Sequence, residues 1–387
     1  MDSLTVFDFN SHVFEPDEIW ERYLDADYRA PARTSFRHHI GPSGMPSIIV
    51  NGRMAPAMHQ NGINRQAIWR PGLTPDNIGA LDPRESHAIS PGANDPSARL
   101  EHMNEMGIHK ALILPTLFLA HFPTVENADV AHALARAYND WAWDFCQADP
   151  DRLLPTAVLP MQDVNFAIEE THRAAARGFK AVVLRPAFFA GRFMVHPSYA
   201  PLWRALEQSG LAVAIHGSPG STNPEWTSEG AFVERIASHL QIGHNVAEAV
   251  APLMDNALAL NALLFCGHLE EYPTLKVAFT GGGATWLPLA LEKAETYLTL
   301  MSSIRDVSLR PEDLFFNRPS LITFDSWEPS VGALPDVFGK VAAWGSRYPA
   351  HDTSTPDEAM HNLREAGANE EFVRDVMAGN AERFFGT

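Results

Sequence analysis

From about residue 95 onward the chain alternates between short, continuously apolar runs and longer stretches whose apolar residues recur at helical spacing. The runs are Lys110–Pro115, Leu153–Pro160, Lys180–Leu184, Leu211–Ile215, Leu275–Phe279, Leu321–Phe324 and Val341–Trp344. Runs of this length, apolar throughout, suit parallel strands covered on both faces. Between them the spacing predicts helices over Ser97–Met106, Asn127–Gln147, Asn165–Arg177, Tyr199–Gln208 and Trp286–Leu300, with an apolar helical region from Asn245 to Leu269. Near the start, Thr5–Phe9 is rich in β-formers and adds an eighth strand. Strand and helix in alternation with short connections is the sequence form of a (β/α)8 barrel. A doubly wound open sheet fits less well, because no glycine fingerprint follows the first strand.

Residues 17–95 break this rhythm. They are rich in Pro, Gly, Arg and His, and Asn51-Gly52 marks a hairpin turn inside Pro46–Arg53. A segment this long is not expected to be structureless, so it reads as an insertion folded over the barrel mouth. Phe36, Met45, Met54, Met58 and Trp69 would then supply an apolar lid, with 71–95 as its mobile edge. The 387 residues otherwise read as one barrel domain.

Charge and cysteine content narrow the partners. The formal net charge is −18, which argues against nucleic acid or an anionic membrane and leaves a small molecule as the expected partner. Cys146 and Cys266 both lie in apolar runs and read as buried core thiols outside any metal or redox motif. No basic segment precedes an apolar core at the N-terminus, and no apolar run reaches the ~18 residues of a membrane span. A cytoplasmic protein is expected. The apolar helix near Ala249–Phe265 is a candidate homodimer surface.

In such a barrel, catalytic side chains stand at the C-terminal ends of strands. The first strand is expected to stop at Phe9 and present Asn10, His12 and Glu15. Later strands end in Arg185, His216, Thr280, Asp325 and Arg347, with Tyr348 following. Each has an ordinary alternative: His216 as a turn residue, Arg185 as an ion-pair partner, Asp325 as a helix cap. His239, His244 and His268 lie in helical stretches and read as surface or packing residues.

The segments Asp8-Phe-Asn-Ser-His-Val-Phe-Glu-Pro16, Gly178-Phe-Lys-Ala-Val-Val-Leu-Arg-Pro186, Val213-Ala-Ile-His-Gly217, Val277-Ala-Phe-Thr-Gly-Gly-Gly283 and Trp344-Gly-Ser-Arg-Tyr-Pro349 together resemble the amidohydrolase-related family, in its branch of aminocarboxymuconate-semialdehyde decarboxylase and related enzymes. The resemblance implies a (β/α)8 barrel. It also implies metal ligands at the places of Asn10, His12, His216 and Arg347, and a proton-handling His or Glu at the place of Thr280. This chain keeps two imidazoles of that set. Arg347 has no lone pair to offer a metal, and Asn10 offers only a carbonyl.

These departures lead to an expectation of an ester, lactone or thioester hydrolase with no required cofactor, as in the family's metal-independent lactonases. Arg347 would hold a carboxylate or oxyanion, His12 or His216 would act as base, and Asn10 would orient them. Arg185, Glu15, Thr280, Asp325 and Tyr348 would line the substrate site. Two alternatives stay open. One is a metal-dependent decarboxylase or C–C hydrolase, holding zinc or another divalent ion on His12, His216 and either Asp325 or Glu15. The other is a barrel that only binds.

Overall fold

Eight parallel strands form a nearly closed barrel with helices around it. The computed structural model describes residues 4–40, 46–54, 67–74, 77–82, 85, 88–218, 245–303 and 309–386. The barrel strands are β1 (Phe7–His12), β5 (Lys110–Leu114), β6 (Leu153–Val158), β7 (Ala181–Leu184), β8 (Ala212–His216), β9 (Val277–Thr280), β10 (Ser320–Phe324) and β11 (Ala342–Trp344), hydrogen-bonded in that order. Nearly every residue of these strands is buried, the physical reason their sequences are apolar without alternation. The helices that separate them, such as Pro96–Met106, Ala128–Cys146 and Val164–Arg177, begin on side-chain caps. Asp95, Asn127 and Asp163 accept the free amide hydrogens of the first turns.

The inserted segment folds in part as a small antiparallel sheet of β2 (Phe36–Ile40), β3 (Pro46–Val50) and β4 (Arg53–Met54). Val50 pairs with Arg53 across Asn51-Gly52, and both turn residues have positive φ, 49° and 73°. That is the geometry an Asn-Gly hairpin demands. Phe36 and Trp69, expected in a lid, are instead core residues at 0% and 2% exposure. Phe36 packs edge-on against Trp20 and Phe118, and Trp69 does the same against Tyr348. Met45, Met58, His239, His244 and the stretch 219–244 after β8 lie outside the described residues. His268 is buried against Trp203, as a packing residue.

Two further expectations are corrected. Cys266 is exposed, because it lies at the end of the helix Asn245–Phe265 and points away from the core; only Cys146 is buried. Strand β1 runs on to His12 rather than stopping at Phe9, since the next strand pairs with it as far as His12 and Leu114. Among the described residues no helix is long and apolar enough to cross a membrane.

Barrel closure brings β1 against β11. Gly345 passes so close that a Cβ there would lie 2.4 Å from the Cβ of Asn10. The buried carboxylate of Asp8 accepts hydrogen bonds from the Ser346 amide at 2.9 Å and the Ser346 hydroxyl at 2.5 Å. The Arg347 amide donates to the Asn10 carbonyl at 3.0 Å, and the His12 amide to the Tyr348 carbonyl at 2.6 Å. Arg99, fully enclosed, reaches up from the helix Pro96–Met106. It donates to the carbonyls of Gly92 and His12 and to the Ser11 hydroxyl, with its guanidinium 4.3 Å from the Tyr348 ring centroid.

Glu15 belongs to this framework. Its fully buried carboxylate accepts the amide hydrogens of Thr116, Leu117 and Phe118 at 2.6, 3.2 and 3.3 Å, capping the short helix Leu117–His121. Replacing it by Ala leaves these buried amides without an acceptor, at a cost of about 1–3 kcal/mol. Glu15→Ala is therefore expected to unfold at lower temperature than the wild type, by circular dichroism; an unchanged melting curve would show that the cap contributes nothing.

Candidate active site

Exposure sorts the nine residues expected at the barrel mouth into two groups. His12, His216, Asp325 and Arg347 are partly open. Asn10, Glu15, Arg185, Thr280 and Tyr348 are buried, none more than 2% exposed. A buried side chain touches substrate only after rearrangement, so most of the second group acts beneath the site.

His12 and His216 stand edge to face, with ring centroids 4.9 Å apart and planes at 85°. His12 Nδ1 is 2.9 Å from the Pro115 carbonyl. A carbonyl only accepts, so Nδ1 carries the proton and Nε2 keeps its lone pair. That Nε2 lies 3.2 Å from His216 Nε2 and 3.1 Å from Asn10 Oδ1. Three electron-rich atoms meet at one point, which chemistry allows only if a proton or a cation lies among them. Burial pushes His12 down to about 4, helped by the Arg347 and Arg99 charges and opposed by the Pro115 carbonyl. Burial also holds His216 well below the ordinary histidine value, with His12, Arg347 and Arg185 adding to it. Both rings are neutral at pH 7. Gly281, at φ +75°, makes room for His216: a Cβ there would come within 2.5 Å of the ring.

Arg347 follows β11 at φ 61°, a left-handed conformation uncommon for any residue but glycine and one that clusters at functional sites. Its Nη2 is 2.9 Å from Asp352 Oδ2, and its Nη1 is 3.8 Å from Asp325 Oδ2. Enclosure opposes ionisation of Asp352, yet Arg347 and His351 hold its carboxyl below the usual range. Asp325 goes the other way. Enclosure, with Glu328 and Asp352 adding to it, raises its carboxyl to about 7 against the pull of Arg347.

The buried residues have structural partners. Arg185 Nη2 is 4.0 Å from Asp255 Oδ2, and its Nη1 donates to the Ala120 carbonyl at 2.5 Å. Thr280 Oγ1 faces the Ile215 carbonyl at 3.4 Å, and the Thr280 carbonyl accepts from Asn256. The Tyr348 hydroxyl is shared between Ser90 and His102 at 3.1 and 2.7 Å. Sequence reasoning passed over Asp352, Arg99 and the Asp8–Ser346 pair. Asp352 lies five residues past Arg347, a spacing that points to contact only once the turn through Tyr348-Pro349 is known.

Residues 86–387 match the amidohydrolase family model, and the chain belongs to that family. Among curated proteins it is similar to 2-amino-3-carboxymuconate-6-semialdehyde decarboxylase of Dictyostelium discoideum, 23% identical over 314 residues, covering 79% of this chain and 80% of that one. It is also similar to gamma-resorcylate decarboxylase of Rhizobium sp. (strain MTP-10005), 26% identical over 192 residues, covering 45% and 55% of the two chains. Among solved structures, an amidohydrolase from Mycobacterium avium subsp. paratuberculosis K-10 superimposes with a TM-score of 0.76 at 20% identity, over the whole of both chains. A manganese-bound 5-carboxyvanillate decarboxylase mutant from Novosphingobium aromaticivorans gives 0.68 at 18% identity, over 100% of this chain and 98% of that one.

These findings correct two expectations. The named relatives are decarboxylases, which overturns ester, lactone or thioester hydrolysis as the leading activity. A solved neighbour holds manganese, which overturns the expectation of no cofactor. The side chains here fit such an ion in part of its shell. Two imidazole nitrogens 3.2 Å apart can share one ion at bonds of about 2.1 Å, and Asn10 Oδ1 converges on the same point. Among the described residues no cluster of three His, Cys, Asp or Glu side chains is arranged for a metal, so His12, His216 and Asn10 are the residues that would hold it. Glu15 is committed to its helix cap, and Asp325 faces Arg347 instead.

The guanidinium opposes a divalent ion on these donors by like-charge repulsion, screened but not abolished at an effective dielectric near ~20. Arg347→Asp is expected to bind manganese at least ~10-fold more tightly than the wild type, because a repulsive charge becomes an attractive one. Titration followed by electron paramagnetic resonance measures it; equal affinities would show that Arg347 does not sense the imidazole pair.

Proposed function

We propose that this chain decarboxylates a small aromatic or conjugated carboxylic acid. The observation that carries the reading is the meeting of two neutral imidazoles and a carboxylate-braced guanidinium at the barrel mouth, in a family whose named relatives are decarboxylases.

In such a reaction the C–CO2⁻ bond breaks, its electron pair passes to the carbon, carbon dioxide departs and the carbon takes a proton. Arg347 draws the anionic substrate into the mouth. During reaction it stabilises the electron density that moves onto the substrate's conjugated oxygen. Asp352 holds the guanidinium in place, so this charge is set before the substrate arrives. His12 is fixed in one tautomer by Pro115 and points its one free lone pair inward, toward its meeting point with His216 and Asn10. A divalent ion on His12, His216 and Asn10 would add positive charge on the same side and polarise that oxygen. The same reading takes a small-molecule substrate in a cytoplasmic setting, with no nucleic acid or membrane partner, supported by the strongly acidic composition.

The test is carbon dioxide release from hydroxylated benzoates and from a carboxymuconate semialdehyde, with manganese supplied. At least one acid is expected to be turned over, and His216→Ala to lower kcat/KM by ~10²-fold or more. Carbon dioxide from none of them, or an undiminished His216→Ala, would overturn the reading.

A further inference from the structure

We propose that Asp325 is the acid that delivers the proton to the substrate carbon as carbon dioxide leaves, an inference that rests on the decarboxylation reading above. Asp325 is the first residue past β10, whose neighbour β11 ends beside it in the pairing of Phe324 with Trp344. Its side chain is 25% exposed. The carboxylates of Asp8 and Glu15 also lie near strand ends but are fully buried and saturated by amide hydrogens.

Hydrogen bonding separates Asp325 from the other carboxyl groups around it. Among the described residues its side chain receives no hydrogen bond, and the nearest cation, Arg347 Nη1, lies beyond hydrogen-bond reach at 3.8 Å. Asp352, from the loop after β11, takes the short contact to Arg347 Nη2 at 2.9 Å. Glu328, three residues on, accepts amide hydrogens from Ala284, Thr285 and Asp325 itself. Two carboxylates and one guanidinium therefore face Asp325, and the guanidinium is mainly engaged elsewhere. Of these three acids, Asp325 is the one arranged to keep a proton, in line with its carboxyl being raised to about 7.

Other groups are badly placed for this step. Thr280, where the resembling family has its proton-handling side chain, is buried with its hydroxyl on a backbone carbonyl. His12 and His216 are held neutral by burial and by Arg347. The balance is simple: R–CO2⁻ and the Asp325 carboxylic acid become R–H, carbon dioxide and the Asp325 carboxylate. Arg347 stabilises that carboxylate as it forms, and water restores its proton before the next turnover.

The experiment uses the full chain with manganese supplied and the acid that the wild type turns over. Asp325→Asn is expected to lower kcat by ~10²-fold or more with KM within ~3-fold, and Asp325→Glu to recover part of the loss. The wild-type kcat is expected to fall as pH rises through about 7, and this limb to vanish from the residual Asp325→Asn activity. Independently of turnover, infrared difference spectra across the same pH range are expected to show a protonated-carboxyl band that Asp325→Asn removes. Wild-type decarboxylation with an unchanged Asp325→Asn kcat and pH limb would overturn the proposal and leave the reading standing. So would absence of the infrared band. Absence of any wild-type carbon dioxide release would overturn both.

Discussion

The site depends on one seam, where the first and last barrel strands close on each other. Asp8, without solvent, accepts both the amide and the hydroxyl hydrogen of Ser346. Burial raises its carboxyl above the ordinary value, and these bonds offset only part of that rise. An unpaired buried carboxylate is costly, so Asp8 and Ser346 require each other. Because Asp8 sits four residues before His12 and Ser346 one before Arg347, satisfying the pair also brings the imidazole within reach of the guanidinium charge. Gly345 is part of the same constraint, since any side chain there would meet Asn10.

Arg99 reinforces the seam from below. A buried guanidinium has five hydrogens to satisfy, and here each nitrogen donates one, to Gly92, Ser11 and His12, while its face lies on Tyr348. One side chain thus ties the helix after the insertion to β1 and to the loop that follows β11. The Tyr348 hydroxyl, held by Ser90 and His102, anchors the loop that carries Arg347 and Asp352. Around the mouth, backbone atoms hold the polar side chains of His12, Glu15 and Arg185.

Electrostatically the mouth runs against the protein as a whole. The chain has a formal charge of −18, yet its site keeps two histidines neutral beside an arginine. It also divides two aspartates into different states: the one within hydrogen-bond reach of Arg347 is held ionised, and the one beyond it is raised. Environments that drive similar groups apart in this way are the usual means of assigning acid and base roles on one scaffold.

Much of the architecture was legible in the amino-acid sequence. The strand runs, the intervening helices and the Asn51-Gly52 turn all follow from local burial and backbone preference, and the motifs around His12, His216 and Arg347 carried the family. Local pattern failed where long-range contact decides. The end of β1 moved to His12 because β5 pairs with it there. Glu15, Arg185 and Thr280 left the site because distant backbone groups and Asp255 claim them. Phe36 and Trp69 became core because residues far along the chain cover them. Which aspartate pairs with Arg347 was likewise invisible, since side-chain distances across a closed barrel are fixed by closure and not by spacing along the chain. The sequence by itself determined which residues can ionise, donate or bind. Only the tertiary structure decided which of them meet, which are shut away from the mouth, and so which can hold a proton there.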